Sequence, residues 1–280
     1  MAVTSRRISL VSEAGIRPYT TTQVQANTTD IFNDSFLSNV YIETPSSSQV
    51  RVRKRPGITQ DRIQTAWQVD LSTYDVTAGQ IRGAFWSDAG ALYRTVGTTV
   101  HKNAATVTGV TTSTNDTYFA DLDTGTRYVL IYDSDKLWYE TGGAATQVTD
   151  SDFTGITSKK PGVVTLDGYV FIMDANGTIY NSAVDDPTTW VATDFISAEL
   201  EADTGVRLSK HLNYILAFGT RTLEVFYNAA NATGSPLSRV SSAIIRIGTR
   251  HPLSVVSIGT ETYFIGSLDG GEDAVYVLEG

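Results

Sequence analysis

Two Asp-Thr-Gly triplets, Asp123-Thr124-Gly125 and Asp203-Thr204-Gly205, come nearest to a catalytic signature in this 280-residue chain. In aspartic proteases a pair of such triplets brings two carboxylates together to share one proton and activate water. Here the triplets stand only 80 positions apart, little room for two protease lobes. The first also fills the same slot between strands as Asp167-Gly168, which reads as a hairpin turn. Asp121, Asp123, Asp133, Asp135, Asp174 and Asn176 do not make the spacing that gives a calcium loop enough oxygen ligands. His101, His211 and His251 lie in three different segments, without ligand spacing, so only the tertiary fold could build a metal site or a Ser-His-Asp triad from them. There is no cysteine, hence no disulfide, thiolate metal site or Cys nucleophile. No glycine cluster is followed by Lys-Ser/Thr and a helix, as a phosphate loop would be. Carboxylates around a propeller funnel could still cleave glycosides, a chemistry with no spacing signature. The residue types point to a protein that is not an enzyme and carries no cofactor or metal.

The elements that would position these residues are strands. The chain is 41% hydrophobic and 18% charged, with 23 Gly and 14 Tyr, and it lacks a sustained 3.6-residue apolar period. Pro161–Ala183 is the clearest unit: strand Val163–Leu166, turn Asp167-Gly168, strand Tyr169–Met173, turn Asn176-Gly177, strand Thr178–Ser182. Tyr169–Met173 is apolar on both faces, as in a strand covered on both sides. The same meander recurs around Ala91–Thr95, Arg127–Tyr132, Tyr214–Phe218 and Thr262–Ile265, with middle strands roughly every 37 to 48 residues. One meander cannot bury both of its faces, and stacking blades around an axis can. The expected fold is therefore all-β, a propeller-like stack of antiparallel meander blades over residues 63–280. A two-sheet sandwich is the competing architecture.

Residues 1–62 read differently, as an extended N-terminal arm with irregular polar patterning. Within it Arg51, Arg53, Lys54 and Arg55 form a basic strand that Pro56-Gly57 ends. These charges either contact an acidic partner or block edge-to-edge pairing. The rest of the chain is acidic, with net charge −9 and pI about 4.8. That is the reverse of a general nucleic-acid binder. The N-terminus has no apolar core of a secretory signal, and apolar runs such as Tyr128–Tyr132 are too short to span a bilayer as helices. The strand Val275–Leu278 leaves an edge to be paired, either by the arm or, the favoured reading, by chain beyond Gly280.

Two blocks carry a family resemblance. One is Asn39-Val40-Tyr41, a Thr-Pro-Ser turn, and Val50 through Arg55-Pro56-Gly57-Ile58. The other is Tyr214 through Asn228 (YILAFGTRTLEVFYN), followed by Gly234, Ile247-Gly248-Thr249 and Thr262-Tyr263-Phe264-Ile265. Ala91-Leu92-Tyr93-Arg94 and Asp185 through Trp190 fit between them. The pattern resembles the packaged-DNA stabilisation proteins of short-tailed bacteriophages, the tail hub or nozzle. The resemblance implies a propeller-containing virion protein, assembled in the bacterial host cytoplasm as a homohexameric ring below the portal and its adaptor. Such a ring retains packaged double-stranded DNA, forms part of the ejection channel without reading sequence, and meets tail spike, fibre or needle proteins. On this reading Arg51, Arg53, Lys54 and Arg55 contact a neighbouring subunit or the adaptor, and no part inserts in a membrane. The alternative is a glycan-binding or glycoside-cleaving propeller, with Trp138 and Trp190 exposed along a sugar site.

Overall fold

A computed structural model describes residues 40–43, 51–54 and 81–279, apart from 199–200, 202 and 269–270; for 40–43, 51–54 and 242–244 it describes the backbone alone. Strands β1 (Val40–Glu43) and β2 (Arg51–Lys54) form an antiparallel hairpin in register Val40↔Lys54 to Glu43↔Arg51. This hairpin belongs to a different compact unit from the strands that follow.

From Ile81 onward the chain is a β-propeller of five antiparallel sheets. Blade 1 is β3 (Ile81–Trp86), β4 (Leu92–Val96), β5 (Thr99–Lys102) and β6 (Ala105–Thr106). Blade 2 is β7 (Tyr118–Asp123), β8 (Arg127–Tyr132), β9 (Leu137–Glu140) and β10 (Thr146–Gln147). A single helical turn, α1 (Ser151–Gly155), leads into blade 3, its start capped by the Asp150 carboxylate. Blade 3 is β11 (Val164–Leu166), β12 (Tyr169–Met173), β13 (Thr178–Ala183) and the 12-residue β14 (Asp186–Ser197). Blade 4 is β15 (Gly205–His211), β16 (Tyr214–Gly219), β17 (Leu223–Asn228) and β18 (Leu237–Ile245). In blade 5, β19 (Ile247–Gly248), β20 (Val256–Ile258) and β22 (Ala274–Glu279) all pair with β21 (Glu261–Leu268).

The packing follows from the two-residue period of a strand. In β12, Val170 and Ile172 point into a core shared with blade 2, while Phe171 and Met173 point into one shared with blade 4. Val170, Phe171 and Ile172 are completely buried, as expected of a strand apolar on both faces. Four such cores join blades 1–2, 2–3, 3–4 and 4–5. Among the described residues no fifth core joins blade 5 back to blade 1. Ile258 of β20, 65% exposed, and Trp86 of β3, 49% exposed, lie on those two terminal sheets.

The turns both meet and correct the sequence expectation. Asp167 and Gly168 both adopt positive φ (50° and 85°), the requirement of a two-residue type I′ hairpin. At Asn176-Gly177 only Gly177 does (80°), and the loop is the four-residue Asp174–Gly177. Asp174 sets that geometry: its Oδ1 accepts the amides of Asn176 and Thr178 at 2.8 and 2.9 Å. Asp133 does the same after β8, accepting the amides of Asp135 and Lys136 at 3.1 and 2.8 Å.

Candidate functional site

The innermost strands of all five blades, β3, β7, β11, β15 and β20, converge on one axial cavity of about 510 Å³. At one end a chain of hydrogen bonds steps from blade to blade. The Asp88 amide donates to Asp121 Oδ2 (2.6 Å), Thr165 Oγ1 to the Asp121 carbonyl (2.7 Å), Lys210 Nζ to the Thr165 carbonyl (2.9 Å), and Ser257 Oγ to the Lys210 carbonyl (2.9 Å). These four bonds tie the inner strand ends of blades 1 to 5 in series, beside backbone bonds from the Thr117 amide to the Arg82 carbonyl and from the Leu208 amide to the Pro161 carbonyl. Burial raises the Asp121 carboxyl above the ordinary carboxylate value, against the opposing pull of the Asp88 amide.

Arg207 of β15 links three blades. Its guanidinium lies 5.1 Å from the centre of the Tyr118 ring of blade 2 and donates through Nη1 to the Pro252 carbonyl, in the link leading to β20. Cation–π contact is the remaining electrostatic support of a desolvated guanidinium when no carboxylate is near. Burial pulls the Arg207 pKa down and pushes the Tyr118 hydroxyl up to about 12, the latter opposed by the Arg207 charge. A sequence reading has no purchase on these residues: Tyr118 and Asp121 on β7 and Arg207 on β15 form no motif, and only the radial arrangement brings them to one cavity.

The catalytic-looking residues are engaged locally. Asp123 sits exposed at the end of β7, accepting the Gly125 amide of the following turn at 3.2 Å and paired with Arg127 at 3.3 Å. Asp203 precedes β15 and folds back onto the turn after β16. Its carboxylate accepts the amides of Thr220 (3.0 Å), Arg221 (2.7 Å) and Thr222 (2.8 Å), with the hydroxyls of Thr220 and Thr222 adding two more bonds. The two triplets serve two separate turns in blades 2 and 4, not one shared-proton dyad. His211 is buried against Thr262 (Nδ1 to Oγ1, 2.9 Å), His251 pairs with Asp273 (2.9 Å), and His101 lies on β5, in three different blades. Among the described residues no three His, Asp or Glu side chains gather as a metal site.

The expected exposure of Trp138 and Trp190 is wrong. They are 2% and 3% exposed. Trp138 belongs to the blade 1–2 core, and Trp190 packs 5.0 Å from Phe153 of α1 while its Nε1 donates to the Pro187 carbonyl at 3.0 Å. Aromatic rings are large apolar bodies that blade interfaces absorb. Of the basic residues singled out, Arg51, Arg53 and Lys54 lie on β2 opposite Glu43, Tyr41 and Val40. Arg55 lies outside the described residues.

Five radial four-stranded sheets with polar inner ends define a β-propeller, and it holds the two Asp-Thr-Gly triplets in separate turns. A family model described as Bacteriophage P22 Gp10, beta-propeller, matches residues 24–280, and the chain belongs to this family of phage structural proteins. No curated protein matches the chain. Among solved structures it is similar to the WD40 propeller domain of Doa1 (13% identity, 69% of this chain and 62% of that one, TM-score 0.44). It is also similar to the Cps50 (Swd1) propeller domain of Myceliophteria thermophila (13%, 72% and 73%, TM-score 0.46) and to the computationally designed Ika8 protein (11%, 88% and 69%, TM-score 0.44). The chain spans under two thirds of the Doa1 domain.

Proposed function

We propose that this chain is a subunit of a homohexameric tail hub that docks below the portal and adaptor, retains packaged DNA and forms part of the ejection conduit. The observation that carries the reading is the family membership over 24–280, joined to the small volume at the propeller axis. A cavity of about 510 Å³ crossed by Arg207 is of small-molecule size, within the roughly 300–1,000 Å³ of ligand pockets. A duplex whose two grooves are each about 8 Å deep cannot thread it. A DNA conduit is then a space between subunits, and ring formation creates it. The net charge of −9 suits such a wall, because few cations would be present to capture phosphates by counterion release. Assembly takes place in the bacterial host cytoplasm, and spike, fibre or needle proteins are further partners of the ring.

In this reading Arg51, Arg53 and Lys54 on β2, together with Arg55, reach the neighbouring subunit or the adaptor rather than DNA. Native mass measurement of the chain, alone and with a portal–adaptor ring, is the direct test. The expected result is a hexamer, or a monomer that becomes six-fold on the adaptor. A monomer indifferent to the adaptor overturns the hub. In the same assay the double charge reversal Arg51→Glu/Arg53→Glu is expected to weaken ring or adaptor association by at least about tenfold, with the effect shrinking as salt screens the charges. Unchanged assembly would remove the basic strand from the interface.

A further inference from the structure

We propose that the axial cavity of the propeller binds a small oxyanion, a carboxylate or phosphate group, held by Arg207. The cavity wall carries Arg207 and Lys210 together with Asp88 and Asp121, and of its two cations Arg207 is the deeply desolvated one. Among the described residues no carboxylate pairs with Arg207; its contacts are the Pro252 carbonyl and the face of Tyr118. Its Nε is sealed from solvent and has no acceptor. Thr117, beside Tyr118 on the same wall, holds its hydroxyl buried and without a partner. Desolvating a cation without pairing it is costly, and a site that keeps one is completed by an anion. Arginine suits this role better than lysine, because its planar fork matches the oxygens of a carboxylate or phosphate.

The other charged groups of the wall do not satisfy Arg207. Lys210 is held by the Thr165 carbonyl, and Asp121, engaged through Oδ2 by the Asp88 amide, keeps its Oδ1 buried and without a hydrogen-bond partner on the blade 2 side of the wall. Arg207 is half-buried and lines the same volume as Thr117 and Ser209, so these three supply the donors for an incoming oxyanion. The size of the cavity limits the ligand to a small molecule.

The test is calorimetric titration of the full chain with inorganic phosphate and, separately, with citrate, at ionic strength matched by sodium chloride. The expected result is saturable binding of at least one of them with Kd of about 1 mM or tighter. Which one saturates distinguishes a phosphate from a carboxylate ligand. Arg207→Gln is expected to weaken that binding at least about tenfold. Ala84→Phe, at an exposed position of β3 on the same wall, narrows the cavity without touching Arg207 and is expected to do the same. If Arg207→Gln does not fold, Ala84→Phe decides. No saturable binding of either anion, or binding unaltered in Ala84→Phe, overturns the site.

Discussion

Asp203→Ala is expected to lower the unfolding free energy of the propeller by about 3 kcal/mol, the consequence of leaving several donors in one turn without their acceptor. The carboxylate receives three amides and two hydroxyls of Thr220–Thr222, and Thr222 is buried. The reason this turn needs a distant residue lies in comparison with its neighbours. After β8 and β12 the turn carries its own aspartate, Asp133 or Asp174. At the end of β16 that position is Gly219, whose amide still makes the equivalent turn bond to the Thr222 carbonyl at 2.8 Å. A β-carbon on Gly219 would stand 2.2 Å from Asp203 Oδ2. Blade 4 therefore exchanges a local aspartate for one delivered by the preceding link.

This exchange predicts a double-mutant cycle. Gly219→Asp alone is expected to destabilise by about 1–3 kcal/mol, since it crowds Asp203 and sets two carboxylates together. Combined with Asp203→Ala it is expected to recover most of the loss, giving a coupling energy of at least about 2 kcal/mol by chemical denaturation. Additive losses would show that the two carboxylates do not occupy the same site. The acid behaviour follows from the same contacts. Burial alone would raise the Asp203 pKa, but the Thr220 hydroxyl and the amides and hydroxyl around it outweigh burial and hold it below the ordinary value. Because the folded pKa is depressed, the stabilisation is fully present above the unfolded value near pH 4. It is lost as pH falls through the folded pKa. Asp203→Ala should accordingly flatten the fall in stability below about pH 4.

The second large effect belongs to the blade interfaces. Phe171→Ala should cost about 3–5 kcal/mol, because the side chain is wholly buried between blades 3 and 4 and the surrounding strands cannot collapse into the void. For about 200 ordered residues that lowers the melting temperature by roughly 10 °C or more. Ile258→Ala, on the terminal sheet of blade 5, should stay within about 0.5 kcal/mol in the isolated chain. Calorimetric melting of both variants tests the difference. A comparable loss at Ile258 would mean that blade 5 is packed against something as firmly as blade 3 is.

The repeat was legible in the sequence, and so was the class of fold. Alternation along Tyr169–Met173 announces a strand covered on both faces, and Asp167-Gly168 announces its own turn, because both signals are local and written within a few residues. The family match over 24–280 accords with the motifs around Tyr214–Asn228. The fourth strands were not legible where they are only two residues long, as in β6 and β10, since they exist only by pairing with the strand beside them. Trp138 and Trp190 show the same limit: an apolar ring reads as a ligand platform or as core until the neighbouring blade is in place.

The candidate sites divide in the same way. Asp203 carries no sign in the sequence that it serves the turn Thr220–Thr222, because 16 residues and a whole strand lie between Asp203 and Thr220 and only the return of the chain joins them. Arg207 reads as one charge in an ordinary strand. Its meaning comes from radial geometry, which places one strand of each blade around an axis and turns an isolated guanidinium into the centre of a shared cavity. Local chemistry, set by the order of residues, determined the strands and most turns. Which side chains meet across blades was decided by tertiary structure, because those contacts depend on where distant segments are brought together.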